Sequence, residues 1–317
     1  RYQPGAELAC QNWWSLLTVH EYTHQLTLSK TSGWPRFIGD TFGTHMLLMP
    51  NLVTNPFWVD EGITVYTESQ ISPYQGRLNE GWYDAYIGAR VKDGRFPSIA
   101  DATYSPQEFN MDSFYTWGGE FFNYLAKTYG EDKFAKYFAV NGGKLLGIDT
   151  LFPAWNIDAS TKEVYGKSFP ELWADWQRYE ARRFKDFQME GRQLTHHGWY
   201  IASPKLEQDK LYYQKSSPVK TGAFTDFNFA EIIEHDRKSG KEKVVASTTS
   251  AFSLPMKVKN GKLYYSVYEK KPGYANRSEL SYGYYSVLHC KDLNTGEDIV
   301  LLNEPLRSFE VQDNGTI

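Results

Sequence analysis

Up to about residue 195 apolar residues recur at helical spacing, and beyond it they alternate at the spacing of strands. Asn12 to Ser29 predicts a helix, with Leu16, Leu17, Leu26 and Leu28 as its apolar positions. Trp58 to Gln70 predicts a second, and Tyr83 to Val91 a shorter third. Phe114 to Tyr129 reads as a fourth, stopped by Gly130, and Lys133 to Val140 follows it before an Asn-Gly-Gly stop. Phe169 to Glu190 predicts a long amphipathic helix, with Leu172, Trp173, Trp176 and Tyr179 near one stripe.

Short strands and turns fill the remainder, and they repeat. Lys210-Leu-Tyr-Tyr213 returns as Lys262-Leu-Tyr-Tyr265, and His235-Asp-Arg-Lys-Ser-Gly-Lys241 as Lys291-Asp-Leu-Asn-Thr-Gly-Glu297. Val258-Lys-Asn-Gly261 is echoed by Gln312-Asp-Asn-Gly315. The copies lie roughly fifty residues apart, a period that suits propeller blades of about four strands. Ser-Gly and Asn-Gly pairs suit the tight turns between such strands. The expected fold class is therefore α+β and multidomain: residues 1–193 mostly helical, residues 194–317 all-β.

Composition narrows the function. A formal net charge of -4 and a pI near 6.0 leave no basic footprint for nucleic acid. No apolar run reaches the length of a membrane span. The many tyrosines and tryptophans fit a filled core and β-structure. Cys10 and Cys290 lie far apart and would pair only if the fold brought them together. The chain opens at Arg1 rather than methionine, so the missing signal peptide carries little weight.

The chemistry sits in the first predicted helix, at His20-Glu-Tyr-Thr-His24. Positions i and i+4 share a helix face, so both imidazoles can reach one ion. Glu21 projects beside that face, where it can take a proton from metal-bound water. Zinc suits two imidazoles and a carboxylate, with one tetrahedral position left for that water. By itself the motif also fits a surface helix with two histidines.

A second segment, Pro56-Phe-Trp-Val-Asp-Glu-Gly-Ile-Thr-Val-Tyr-Thr-Glu68, changes that balance. With the histidine motif it resembles the gluzincin zinc metallopeptidases, related to the aminopeptidase N and leukotriene hydrolase family. The resemblance implies that Glu61, in Trp58-Val-Asp-Glu-Gly62, is the third ligand, with one Zn2+ per chain. It also implies that the trailing Glu68 orients a ligand imidazole; an exposed helix carboxylate is the competing reading. Thr64 and Tyr66 are expected to be packing residues. Phe114-Tyr-Thr-Trp-Gly resembles the family's Tyr-x-x-Gly helix entry, which makes Tyr115 the oxyanion donor and Tyr104 its fallback. The family keeps a short helical spacer between the second histidine and the glutamate. Here the spacer from Gln25 to Asp60 is long and reads as loop-rich, closer to the peptidase MA-like families. His45 and Asp60 are rival third ligands without a matching motif.

Gly166 to Trp176 resembles the closing helix of such domains, and the repeats after residue 194 resemble TolB-like β-propellers. Barely two repeats are covered before a third begins, so a longer protein is expected, with the N-terminal strands of the peptidase and further blades outside this sequence. The propeller resemblance also implies a periplasmic or secreted location and a surface for a protein partner. His196-His197 reads as a solvated linker. The expectation is a hydrolase that cleaves peptide or protein substrates with zinc-activated water and Glu21 as general base. Two competitors stand beside it: a zinc hydrolase of a non-peptide bond, and an inactive binding module that keeps zinc for structure.

Overall fold

The computed structural model describes residues 12–43, 45–104, 113–144, 153–188, 190–196, 200–216, 219–221, 224–226, 230–248, 255–270, 284–303, 306 and 308–317. The chain divides into two compact units, Arg1–Met189 and Glu190–Ile317. The described residues of the first are helical without a strand, and those of the second form antiparallel sheets. The fold is thus mixed α+β. No helix among the described residues is long and apolar enough to cross a membrane.

Ten α-helices are described in the first unit: α1 (Trp13–Leu28), α2 (Gly33–Phe42), α3 (His45–Thr54), α4 (Phe57–Glu68), α5 (Gly81–Lys92), α6 (Ile99–Tyr104), α7 (Ser113–Tyr129), α8 (Asp132–Gly142), α9 (Pro153–Tyr165) and α10 (Phe169–Arg183). The spacer expected to be loop-rich is instead mostly helical, since α2 and α3 occupy it. Gly33, Pro35, Gly39 and an internal Pro50 weaken its local helix signal. Packing supplies what propensity lacks. Asn51 of α3 donates through Nδ2 to the carbonyls of Thr27 in the last turn of α1, of Lys30 just beyond it, and of Phe138 in α8. Asn141 of α8 donates in turn to Asn51, Thr54 and Asn55.

Two helices form the centre of this unit. α4 is buried along nearly its whole length, and it crosses α7 at two glycines. A Cβ on Gly62 would stand 2.4 Å from the carbonyl carbon of Gly118, and one on Gly118 would stand 2.1 Å from the Trp58 carbonyl oxygen. Only glycine lets the backbones approach so closely. Around the crossing lies an aromatic core in which Trp58 packs edge-on to Phe121, Phe169 and Trp173. Buried indole N–H groups find acceptors: Trp58 donates to Thr103, and Trp173 to the Pro97 carbonyl. Ser168 and Glu171 cap α10 reciprocally, which explains why that helix starts where its sequence pattern predicts. It ends at Arg183, short of Glu190.

The second unit contains two open four-stranded antiparallel sheets; the described residues do not close a propeller. The first has the order β1-β2-β5-β6, from β1 (Tyr200–Glu207), β2 (Lys210–Ser216), β5 (Ala230–Asp236) and β6 (Glu242–Thr248). A small hairpin, β3 (Val219–Thr221) with β4 (Phe224–Asp226), lies between β2 and β5 in the chain. The second sheet is the meander β7 (Met256–Lys259), β8 (Lys262–Lys270), β9 (Tyr284–Asp292) and β10 (Asp298–Leu302). The sequence repeat is visible in side-chain contacts. Tyr213 reaches from the second strand of one sheet to Glu242 on its fourth, at 2.7 Å. Tyr265 reaches Asp298 in the other sheet in the same way, at 2.6 Å. Tyr212, Ile232 and Ala246 share one core with Met256, Leu263 and Tyr265. Cys290 is buried in β9 and outside any disulfide, whereas Cys10 and His197 lie outside the described residues.

Candidate metal centre

α1 buries Leu16, His20 and Thr23 along one face, toward α4, while Asn12 caps its start by accepting from the Ser15 N–H. Three residues of α4 answer His20 at spacings of three and four. Glu61 Oε2 lies 3.2 Å from its Nε2, Thr64 Oγ1 lies 3.4 Å from the same nitrogen, and Glu68 Oε2 lies 2.9 Å from its Nδ1. Thr64, expected only to pack, therefore borders the centre, and its hydroxyl donates to the Glu61 carbonyl. Glu68 is fully buried rather than solvent-exposed.

His24, one turn further along α1, brings its Nε2 to 3.4 Å from the same Glu61 oxygen. Its ring stands nearly perpendicular to that of His20, at 83°. His20, His24 and Glu61 thus offer three ligand atoms within 4.8 Å of one another, a group that could hold a metal ion. The donors fit one. Glu61 Oε2 is buried and makes no hydrogen bond, although two imidazole nitrogens stand beside it. An oxygen so placed is costly to bury unless a cation or a proton completes it. Two imidazoles with one carboxylate are donors suited to a transition-metal ion such as zinc.

Electrostatics agree with the geometry. Burial works to raise the Glu61 carboxyl, but the two imidazoles outweigh it and hold the group down at about 2. Burial likewise opposes the charged form of His20, yet Glu61 and Glu68 together raise its pKa above the ordinary value. Glu68 is itself held low, because Arg77 and then His20 overcome its desolvation.

Arg77 carries no motif, and sequence reasoning passed over it. It opens a 3-10 turn, Arg77–Asn79, just after Gly76. Gly76 has φ +96 and packs so tightly on Ser69 that a Cβ there would stand 2.4 Å from the Ser69 Cα. That turn delivers Arg77 Nε to Glu68 Oε1 at 2.7 Å and Nη2 to Oε2 at 2.9 Å. A positive-φ glycine shortly after the helix was the available signal.

The other expected residues separate clearly. Tyr115, in the first turn of α7, has its ring centroid 6.1 Å from that of His20, and the Arg77 guanidinium covers it at 4.4 Å. Glu21 follows His20 on α1 and is exposed to solvent. Asp60 stands outside the three-residue group: it accepts from Asn55 Nδ2 at 2.9 Å, and burial pushes its carboxyl up to about 7. His45 is exposed at the start of α3 and stands outside the three-residue group. Tyr104 is 82 % exposed at the end of α6. His196 is exposed, near the start of the second unit.

Comparison of the chain with protein-family models, with curated proteins and with solved structures finds no match.

Proposed function

We propose that the chain is a zinc-dependent metallopeptidase of the gluzincin kind, with His20, His24 and Glu61 as ligands. The observation that carries this reading is the convergence of two imidazole nitrogens on a buried, unbonded carboxylate oxygen. Zinc held there would supply a Lewis acid and bring the pKa of water down to about 7.

The chain's own residues supply the remainder. Glu21, exposed and next to His20 on α1, would take a proton from the attacking water and return it to the leaving amine. Glu68 accepts from His20 Nδ1 and so directs the Nε2 lone pair toward Glu61 and His24. Tyr115, held between Arg77 and Phe114, is the hydroxyl donor for the developing oxyanion. The second unit supports a propeller reading through its paired meanders and repeated Tyr-carboxylate contacts. In that reading it belongs to a secreted or periplasmic protein and screens substrates or binds a protein partner.

The deciding experiment compares wild type with Glu21→Gln for zinc content and for hydrolysis of a mixed peptide library, with and without chelator. Stoichiometric zinc in both, with chelator-sensitive cleavage by wild type alone, is expected. Cleavage by Glu21→Gln at the wild-type rate would sink the mechanism.

A further inference from the structure

Glu68 has four acceptor positions, and four donors approach them. Arg77 Nε and the Arg77 backbone N–H reach Oε1 at 2.7 and 3.3 Å. Arg77 Nη2 and His20 Nδ1 reach Oε2, each at 2.9 Å. A carboxylate can accept all four, while a protonated acid cannot. Arg77 Nη2 also lies 3.0 Å from His20 Nδ1. One proton cannot serve both nitrogens. If Arg77 donated to Nδ1, the proton of a neutral His20 would sit on Nε2, the nitrogen that faces Glu61 and His24. The fork on Glu68 favours the other arrangement: it takes up the Nε–H and one Nη2–H of the guanidinium and leaves Oε2 with a second lone pair for the imidazole N–H.

We propose that Arg77 is a positioning residue for the metal centre, acting through Glu68 to hold His20 as the Nδ1–H tautomer with its Nε2 lone pair free. Its relevance to metal rests on the reading of His20 as a ligand. The same guanidinium covers the Tyr115 ring, so one side chain ties the imidazole to the tyrosine on α7. The fork geometry explains why arginine stands here. A lysine would place one point charge, with neither the parallel N–H pair that matches both oxygens nor a plane to lie flat on the ring.

The test reads the histidine before any metal is added. Metal-free protein labelled with 15N-histidine, as wild type and Arg77→Met, is compared at alkaline pH by proton–nitrogen correlation spectra that distinguish the two neutral tautomers. Wild type is expected to show His20 as Nδ1–H, and Arg77→Met a mixture or the Nε2–H form. Zinc affinity, from competition with a chromophoric chelator, is expected to fall about 10–100-fold. In a Glu68→Gln background the Arg77 substitution should cost little more, since both act on one nitrogen. Should Arg77→Met fold poorly, Arg77→Lys carries the same decision through the same spectra. An unchanged tautomer in a folded variant overturns the proposal. Failure of wild type to bind zinc overturns the metallopeptidase reading instead, and the tautomer spectra still judge Arg77.

Discussion

Gly62 and Gly118 meet backbone to backbone, and their contact sets the separation of the helix that carries Glu61 from the helix that carries Tyr115. A methyl group at Gly62 would press on backbone atoms, which cannot rotate away. Gly62→Ala should therefore cost about 1–3 kcal/mol or more, as overpacking of a tight core does. It should also weaken zinc binding, because Glu61 is the neighbouring residue. Urea midpoints and chelator competition check both, and a fully stable variant with wild-type affinity would refute the account of this crossing.

Zinc should stabilise the folded chain by mass action. At free zinc about 100 times the dissociation constant the gain is roughly 2.7 kcal/mol, if the unfolded chain does not bind. Thermal melts should show an upward shift that chelator reverses. In Glu61→Gln the shift should shrink strongly, because a neutral amide replaces the carboxylate beside both imidazoles. An equal shift in that variant would place the metal elsewhere.

Tyr115→Phe removes a hydroxyl and leaves the ring on which Arg77 lies. An oxyanion donor of this kind contributes roughly 10²–10³ in kcat. The expected signature is a loss of that order in kcat, with zinc affinity and KM little changed. A loss confined to KM would assign the tyrosine to substrate binding.

Glu120 is buried in α7, and burial pushes its carboxyl up to about 7 against an ordinary 4.5. Asn123 and Arg183 offset only part of that cost. A folded-state pKa raised in this way leaves stability unaffected below about pH 4.5, and the destabilisation grows as pH climbs toward 7. Glu120→Gln should then stabilise the protein by roughly 3 kcal/mol above pH 7 and by almost nothing at pH 4. Urea unfolding at both values checks this, and equal effects would contradict it.

How far the sequence disclosed this structure depended on whether a signal was local. Asn12, Leu16 and His20 announce α1 through a cap and a spacing, and Trp58 to Gly62 announces α4. Ser168 and Glu171 announce α10. α2 and α3 were hidden because glycine and proline argue against helix locally, while Asn51 and Asn141 secure α3 through contacts far apart in sequence. The repeat was readable at Tyr213 and Tyr265, yet their partners Glu242 and Asp298 required the strand order. Arg77 was hidden for the same reason. Its place follows from a turn at Gly76 and from a glutamate nine residues earlier, at the end of α4, not from any periodic pattern.

The saturation of Glu68 also bears on which ions the centre admits. Every oxygen lone pair of that buried carboxylate is engaged by arginine or histidine, so none remains to turn inward and widen the coordination shell. Calcium wants about six to eight oxygens and magnesium a near-ideal octahedron rich in water. A group of two nitrogens and one carboxylate offers neither of these hard cations the oxygen-rich shell it requires.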